Sequence, residues 1–223
     1  MTESYRSDAR AGHLRAAGHG DAVRHEVPYH AQWESAELVP ELLAGRLAAE
    51  DDPLWERSGA ATPEEYAFWS WRVCGMACLR MALEYWGLPA DGLVSMGKEF
   101  LDAGAYVRRA DGLDGLIYAP FAEHVARRWG IGAEVRPELD PEELPDLLAA
   151  GRLVMLSVHP SIREPQTRPA SRGGHLVLAV GCTAGHLQIH NPSGMPGVSQ
   201  RFAEVPWPAL PKFFARRGVV LGR

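Results

Sequence analysis

At Gly151 the apolar pattern of this chain changes period, and that change limits the reachable folds more than any other feature of the sequence. Before it, apolar residues recur at helical spacing. After it, RLVMLSVHP, HLVLAVGC, HLQIHNP and RGVVLG are short apolar or alternating runs broken by Gly, Pro, Asn and Ser, which read as strands. Helices first and strands second predict an α+β domain with an antiparallel sheet. With 223 residues, 46% of them hydrophobic, the chain can bury one large core without staples. No repeat of ~20–50 residues is visible. Residues 25–223 read as a single domain.

The strongest helix is CGMACLRMALEYWG. Cys74, Ala77, Cys78, Met81, Ala82 and Tyr85 fall at offsets 0, 3, 4, 7, 8 and 11, a wide apolar stripe. Arg80 and Glu84 sit on the other side, and Gly87 with Pro89 ends the helix. LVSMGKEFLDAG, GLIYAPFAEHVARRWG and DPEELPDLLAAG continue the helical part. Ahead of Cys74, the polar stretch from about residue 34 to 70 reads as a helical insertion, with Thr62, Pro63 and Glu65 forming a helix start. HEVPYHAQW reads as a short strand through the alternation of Val27 and Tyr29. Residues 1–24 are polar and read as a disordered arm without the apolar core of a secretory signal.

Several classes of function are disfavoured. A net charge of -5 opposes nucleic-acid binding, and no run reaches the ~18 apolar residues of a membrane span. Three cysteines, Cys74, Cys78 and Cys182, are too few for a disulfide framework, so a cytoplasmic location is expected. Gly92–Lys98 spells G-x-x-x-x-G-K but continues with Glu99, so the Mg²⁺-holding hydroxyl of a phosphate loop is missing. His186 and His190 share a strand face yet lack a third metal ligand.

Cys74 stands apart because it opens the long helix, where unpaired N–H groups and the helix dipole favour a thiolate. Gly75 beside it leaves room for a substrate backbone, whereas Cys78, a turn deeper, reads as core. A nucleophilic thiol needs a base, and His175 follows a Gly-Gly loop at the start of an apolar strand. Asn191 ends the next strand, so a tight turn between them brings both residues to one end of a sheet. Each has an ordinary reading: small core residue, surface histidine, turn signal. Together, in the order Cys–His–Asn, they match a known catalytic triad.

VPYHAQ, CGMACLRMALEYWG, GGHLVLAVG and IHNPSG, in this order, resemble the papain-like cysteine peptidases that process bacteriocin leaders (family thirty-nine of the cysteine peptidases), especially their stand-alone relatives. The resemblance implies a papain-like fold with Cys74 as nucleophile, His175 as base and later acid, and Asn191 holding the imidazole tautomer. It also implies that Gln32 donates to the oxyanion beside the Cys74 N–H. Two departures stand out. The insertion separates Gln32 from Cys74, and Val73 occupies the place where leader peptidases usually carry Asp.

The expected activity is hydrolysis of a peptide or amide bond through a thioester, with no cofactor and no metal. An acyltransferase using the same acyl-enzyme is the second reading, favoured if Trp33, Trp55, Trp69 and Trp71 shield the cleft from water rather than fill a core. A papain-like binding module without activity is the third. Arg163, Arg168 and Arg172, in the loop from Ser161 to Gly174, are candidates for contact with an acidic partner.

Overall fold

The computed structural model describes residues 22–110 and 112–223. Most of the expected disordered arm, residues 1–21, lies outside the described residues. Val23–Arg24 form a short strand, β1, so regular structure begins ahead of the expected boundary at residue 25.

The helices of the first half fall where the pattern placed them: α1 (Val39–Leu43), α2 (Pro63–Ser70), α3 (Cys74–Tyr85), α4 (Leu93–Asp102) and α5 (Tyr118–Trp129). The Thr62 side chain caps α2 by accepting the Glu65 N–H at 3.2 Å, with Pro63 in the first turn. A small hairpin, β2 (Arg108–Arg109) and β3 (Gly112–Leu113), precedes α5. Strands β4 (Gly132–Arg136), β5 (Leu153–Val158), β6 (His175–Cys182), β7 (His186–His190), β8 (Ala203–Pro206) and β9 (Phe214–Gly222) follow, with α6 (Leu144–Ala149) and α7 (Leu210–Phe213) between them.

These strands form one antiparallel sheet in the order β4-β9-β5-β6-β7-β8, and β1 adds to β6. β4 and β8 lie at the edges and carry little apolar signal, since Glu134, Arg136 and Glu204 face outward. HEVPYHAQW is not a strand beyond Arg24. Pro28 lacks a donor, and the segment satisfies its backbone irregularly: the Val27 carbonyl meets the His190 ring at 2.9 Å and Gln32 N–H donates to the Pro192 carbonyl at 2.9 Å.

Period-two alternation gives the sheet two apolar faces. Leu176, Leu178 and Val180 of β6 pack with α3 and the other early helices, whereas Val177 and Ala179 face α6 and α7. Every strand position of β6 is buried, as its continuous apolar run predicts. Among the described residues no helix is long and apolar enough to cross a membrane.

The 34–70 stretch packs into the same core as α3. Trp33 and Trp69 are fully buried there, whereas Trp71 remains 48% exposed. Its polar anchor is Asp52, buried, which accepts the Ser35 hydroxyl at 2.6 Å, the Ser35 and Leu54 N–H groups at 3.1 and 3.0 Å, and the Tyr66 hydroxyl. Burial alone would raise this carboxyl, but those donors hold it below its ordinary value. Asp52→Asn, which removes the charge and turns one acceptor into a donor, is expected to destabilise the fold by about 2–3 kcal/mol in urea unfolding. The G-x-x-x-x-G-K run serves packing. Gly92 precedes α4 where a Cβ would lie 2.4 Å from the Ser58 carbonyl oxygen, and Lys98 pairs with Glu65 at 3.2 Å.

Candidate active site

The starts of α3 and β6 meet at a cleft of about 400 Å³, with Asn191 buried behind His175. Cys74 opens α3 and is half-buried on its wall, while Cys78 and Cys182 are buried elsewhere in the core. His175 begins β6, delivered by Gly173 and Gly174, whose φ angles of +84° and +92° lie where a side chain is strained. Asn191 follows the end of β7, which pairs with β6, so the turn between the strands brings His175 and Asn191 together. Gly75 also lines the cleft, but Leu116 and Leu176 side chains occupy the space at its Cα.

The His175–Asn191 contact is a direct hydrogen bond, Nε2 to Oδ1, at 2.8 Å. Its polarity is fixed by a third group. The Ser193 backbone N–H also meets Asn191 Oδ1, at 3.1 Å, and a backbone N–H can only donate. The amide therefore presents its oxygen, His175 Nε2 carries the proton, and Nδ1 of the neutral ring is the basic nitrogen. The Ser193 hydroxyl lies 3.1 Å from the same Nε2 and receives the Arg163 guanidinium at 3.2 Å. Burial pushes the His175 pKa down to about 4, the Asn191 bond opposes that, and the nearby Arg163 charge lowers it further.

The sulfur has its own surroundings. Burial raises the Cys74 thiol above its ordinary value, while the N–H groups of Leu176, Gly75 and Cys74 itself pull the other way. The resting pair is therefore a neutral thiol and a neutral imidazole. The described hydrogen bonds of the His175 ring go to Asn191 and Ser193, and none reaches Cys74.

Gln32 is buried beside the turn that leads into α3, where its Nε2 donates to the Ser70 carbonyl at 2.8 Å. It does not line the cleft. Two buried amide atoms in this neighbourhood, Gln32 Oε1 and Asn191 Nδ2, have no hydrogen-bond partner among the described residues. His190 is structural, with Nε2 on the Val27 carbonyl and Nδ1 accepting the Phe202 N–H at 3.0 Å.

No family model matches the chain, and no curated protein matches it in sequence. Among solved structures, it resembles the crystal structure of a provisionally assigned C39-like peptidase from Bacillus anthracis. The two share 14% identity with a TM-score of 0.56, over 92% of this chain and 98% of that one. The likeness is one of fold. It agrees with the mixed helix and antiparallel-sheet architecture, and a fold leaves function to be argued from the site.

Sequence reasoning did not assign Ser193 or Arg163 to this site. Asn191-Pro192-Ser193 carried a usable signal, since an Asn side chain commonly accepts the N–H two residues on. Arg163 carried none, because its place depends on how the 161–174 loop folds back. Of the tryptophans weighed as a cover for the cleft, Trp71 lines it, standing edge-on to Trp33 with ring centroids 4.9 Å apart.

Proposed function

We propose that this protein is a papain-like cysteine hydrolase that cleaves a peptide or amide bond. The observation that carries the reading is the His175–Asn191 bond with its polarity set by Ser193, on the same cleft as the thiol at the start of a long helix. An imidazole held in that tautomer offers Nδ1 as a base.

In the proposed reaction Cys74 Sγ attacks the carbonyl carbon as its proton passes to His175 Nδ1. The neutral resting pair makes this transfer part of the attack rather than a step before it. The developing oxyanion is assigned to the Cys74 backbone N–H at the start of α3, and to Gln32 only once its amide turns from the Ser70 carbonyl into the cleft. The C–N bond then breaks, the amine takes the proton from His175, and a thioester remains on Cys74. Water, deprotonated by His175, attacks the thioester, and the acid and the free thiol are released. Every bond made or broken here is accounted for by the chain and water.

The experiment is to follow the intact mass of the protein during incubation with a panel of peptidyl and aminoacyl aryl esters. An acyl increment mapped to Cys74 that forms and then decays in water is expected. Transfer of the acyl group to an added amine in preference to water would make the protein an acyltransferase. No increment on Cys74 from any donor would leave a binding module.

A further inference from the structure

The cleft continues past the thiol to a cation that has no ion pair among the described residues. Across from β5, strand β9 is irregular: Leu156 opposes Gly218 and Val158 opposes Phe214, so Ser157 alone faces Ala215, Arg216 and Arg217. Bulges of this kind re-aim side chains, often beside functional sites. Arg216 takes the turn with a φ of +54°, a left-handed conformation that is strained for a side-chain-bearing residue. It is anchored away from the cleft: its carbonyl accepts the Leu139 N–H at 2.8 Å and its guanidinium reaches Asp140 at 2.8 Å. The next residue, Arg217, lines the cleft with Cys74 and His175.

The surroundings of Arg217 specify what it can hold. Among the described residues it forms no ion pair, and Asp114, the acidic residue on the same cleft, is taken by Arg109 at 2.6 Å. Its neighbours are hydroxyls. Ser157 and Arg217 both stand beside the hydroxyl of Tyr118, and all three line the cleft. A guanidinium with two hydroxyl groups and, among the described residues, no carboxylate paired to it is the donor set for a carboxylate. The other cleft arginine, Arg72, is already committed, with one nitrogen on the Phe68 carbonyl and its guanidinium over the Phe68 ring.

We infer that Arg217, with Tyr118 and Ser157, is a carboxylate-binding subsite, so that the substrate carries a negatively charged carboxylate close to the bond presented to Cys74. This deepens the hydrolase reading and rests on it for the role of the thiol. The carboxylate can be the end of a chain or an acidic side chain, and the two share the same recognition chemistry.

The test compares alkylation of Cys74 by three bromoacetyl reagents: bromoacetylglycine, with a terminal carboxylate; the α-amide of bromoacetyl-aspartate, in which only the side chain is acidic; and neutral bromoacetylglycinamide. Either acidic reagent is expected to react about tenfold faster than the neutral one, and the ratio is expected to fall towards one in Arg217→Gln. The faster of the two acidic reagents identifies the source of the carboxylate. A ratio near one in the unaltered protein, or a preference that survives in Arg217→Gln, overturns the subsite. A second measurement avoids the thiol: acetylglycine is titrated into both proteins and followed by amide chemical shifts. Saturable binding lost in Arg217→Gln supports the subsite even if Cys74 proves inert, an outcome that would sink the hydrolase reading alone. Absence of acetylglycine binding together with equal alkylation rates rejects the carboxylate.

Discussion

His175→Ala is expected to slow acylation of Cys74 by an anilide about a thousandfold, while Cys74→Ala leaves no acyl adduct at all. The size of the first effect follows from the protonation states. Burial holds the thiol above its ordinary pKa and the imidazole down to about 4, so no preformed thiolate waits to attack. Nucleophilicity must come from a base acting during the attack, and expulsion of an amine must come from the proton that base has acquired. Removing the ring removes both. A matched aryl ester separates the two contributions, because its leaving group needs little help from an acid. The ester is expected to lose about tenfold less rate than the anilide in His175→Ala, measured as single-turnover growth of the adduct mass. Equal acylation rates with and without His175 would mean that its bond to Asn191 serves packing, and the binding-module reading would then stand.

Most of what places this site was legible as pattern. The helix stripe fixed where α3 begins, hence where Cys74 sits, and the Gly-Gly turn and the β6–β7 hairpin brought His175 to Asn191. These are local features: a helix start, a strand start and a strand end need only neighbouring residues to declare them. What escaped depended on distant chain. HEVPYHAQW alternates like a strand, yet after the His25 N–H bond to the Val180 carbonyl its partners are the His190 ring and the Pro192 carbonyl rather than a ladder, contacts that no periodicity records. β4 and β8 were missed because an edge strand with one wet face needs few apolar residues. Arg217 lay inside a run read as an ordinary strand, and only the register shift opposite Ser157 separates it from Arg216. Gln32 sits between these cases. It lies beside the α3 entry, where its amide bonds the Ser70 carbonyl, and it does not line the cleft.

Stability is expected to fall steeply between pH 6.5 and 4, before most carboxylates titrate, because two buried histidines are held neutral. For both His175 and His190, burial brings the pKa from 6.5 down to about 4. Hydrogen bonds to Asn191 in one case and to Val27 in the other resist the shift, while Arg163 adds to it at His175 and Arg201 and Arg24 at His190. A folded pKa below the unfolded one means that the unfolded chain binds the extra proton. The stabilisation is therefore complete above the unfolded value and is lost as pH falls towards the folded one. Each group accounts for about 3 kcal/mol over that window, at about 1.4 kcal/mol per pH unit in its middle. For His190 the structure shows the conflict directly: Nδ1 accepts the Phe202 N–H, so a proton placed there would set two donors against each other in a fully buried site. Urea unfolding at pH 7.5, 6, 5 and 4.5 is expected to give a slope of about 2–3 kcal/mol per pH unit below pH 6. His190→Gln should roughly halve that slope whatever it does to stability at pH 7.5. A slope unchanged by the substitution, or a stability flat down to pH 4.5, would show that these rings accept their protons without leaving the fold.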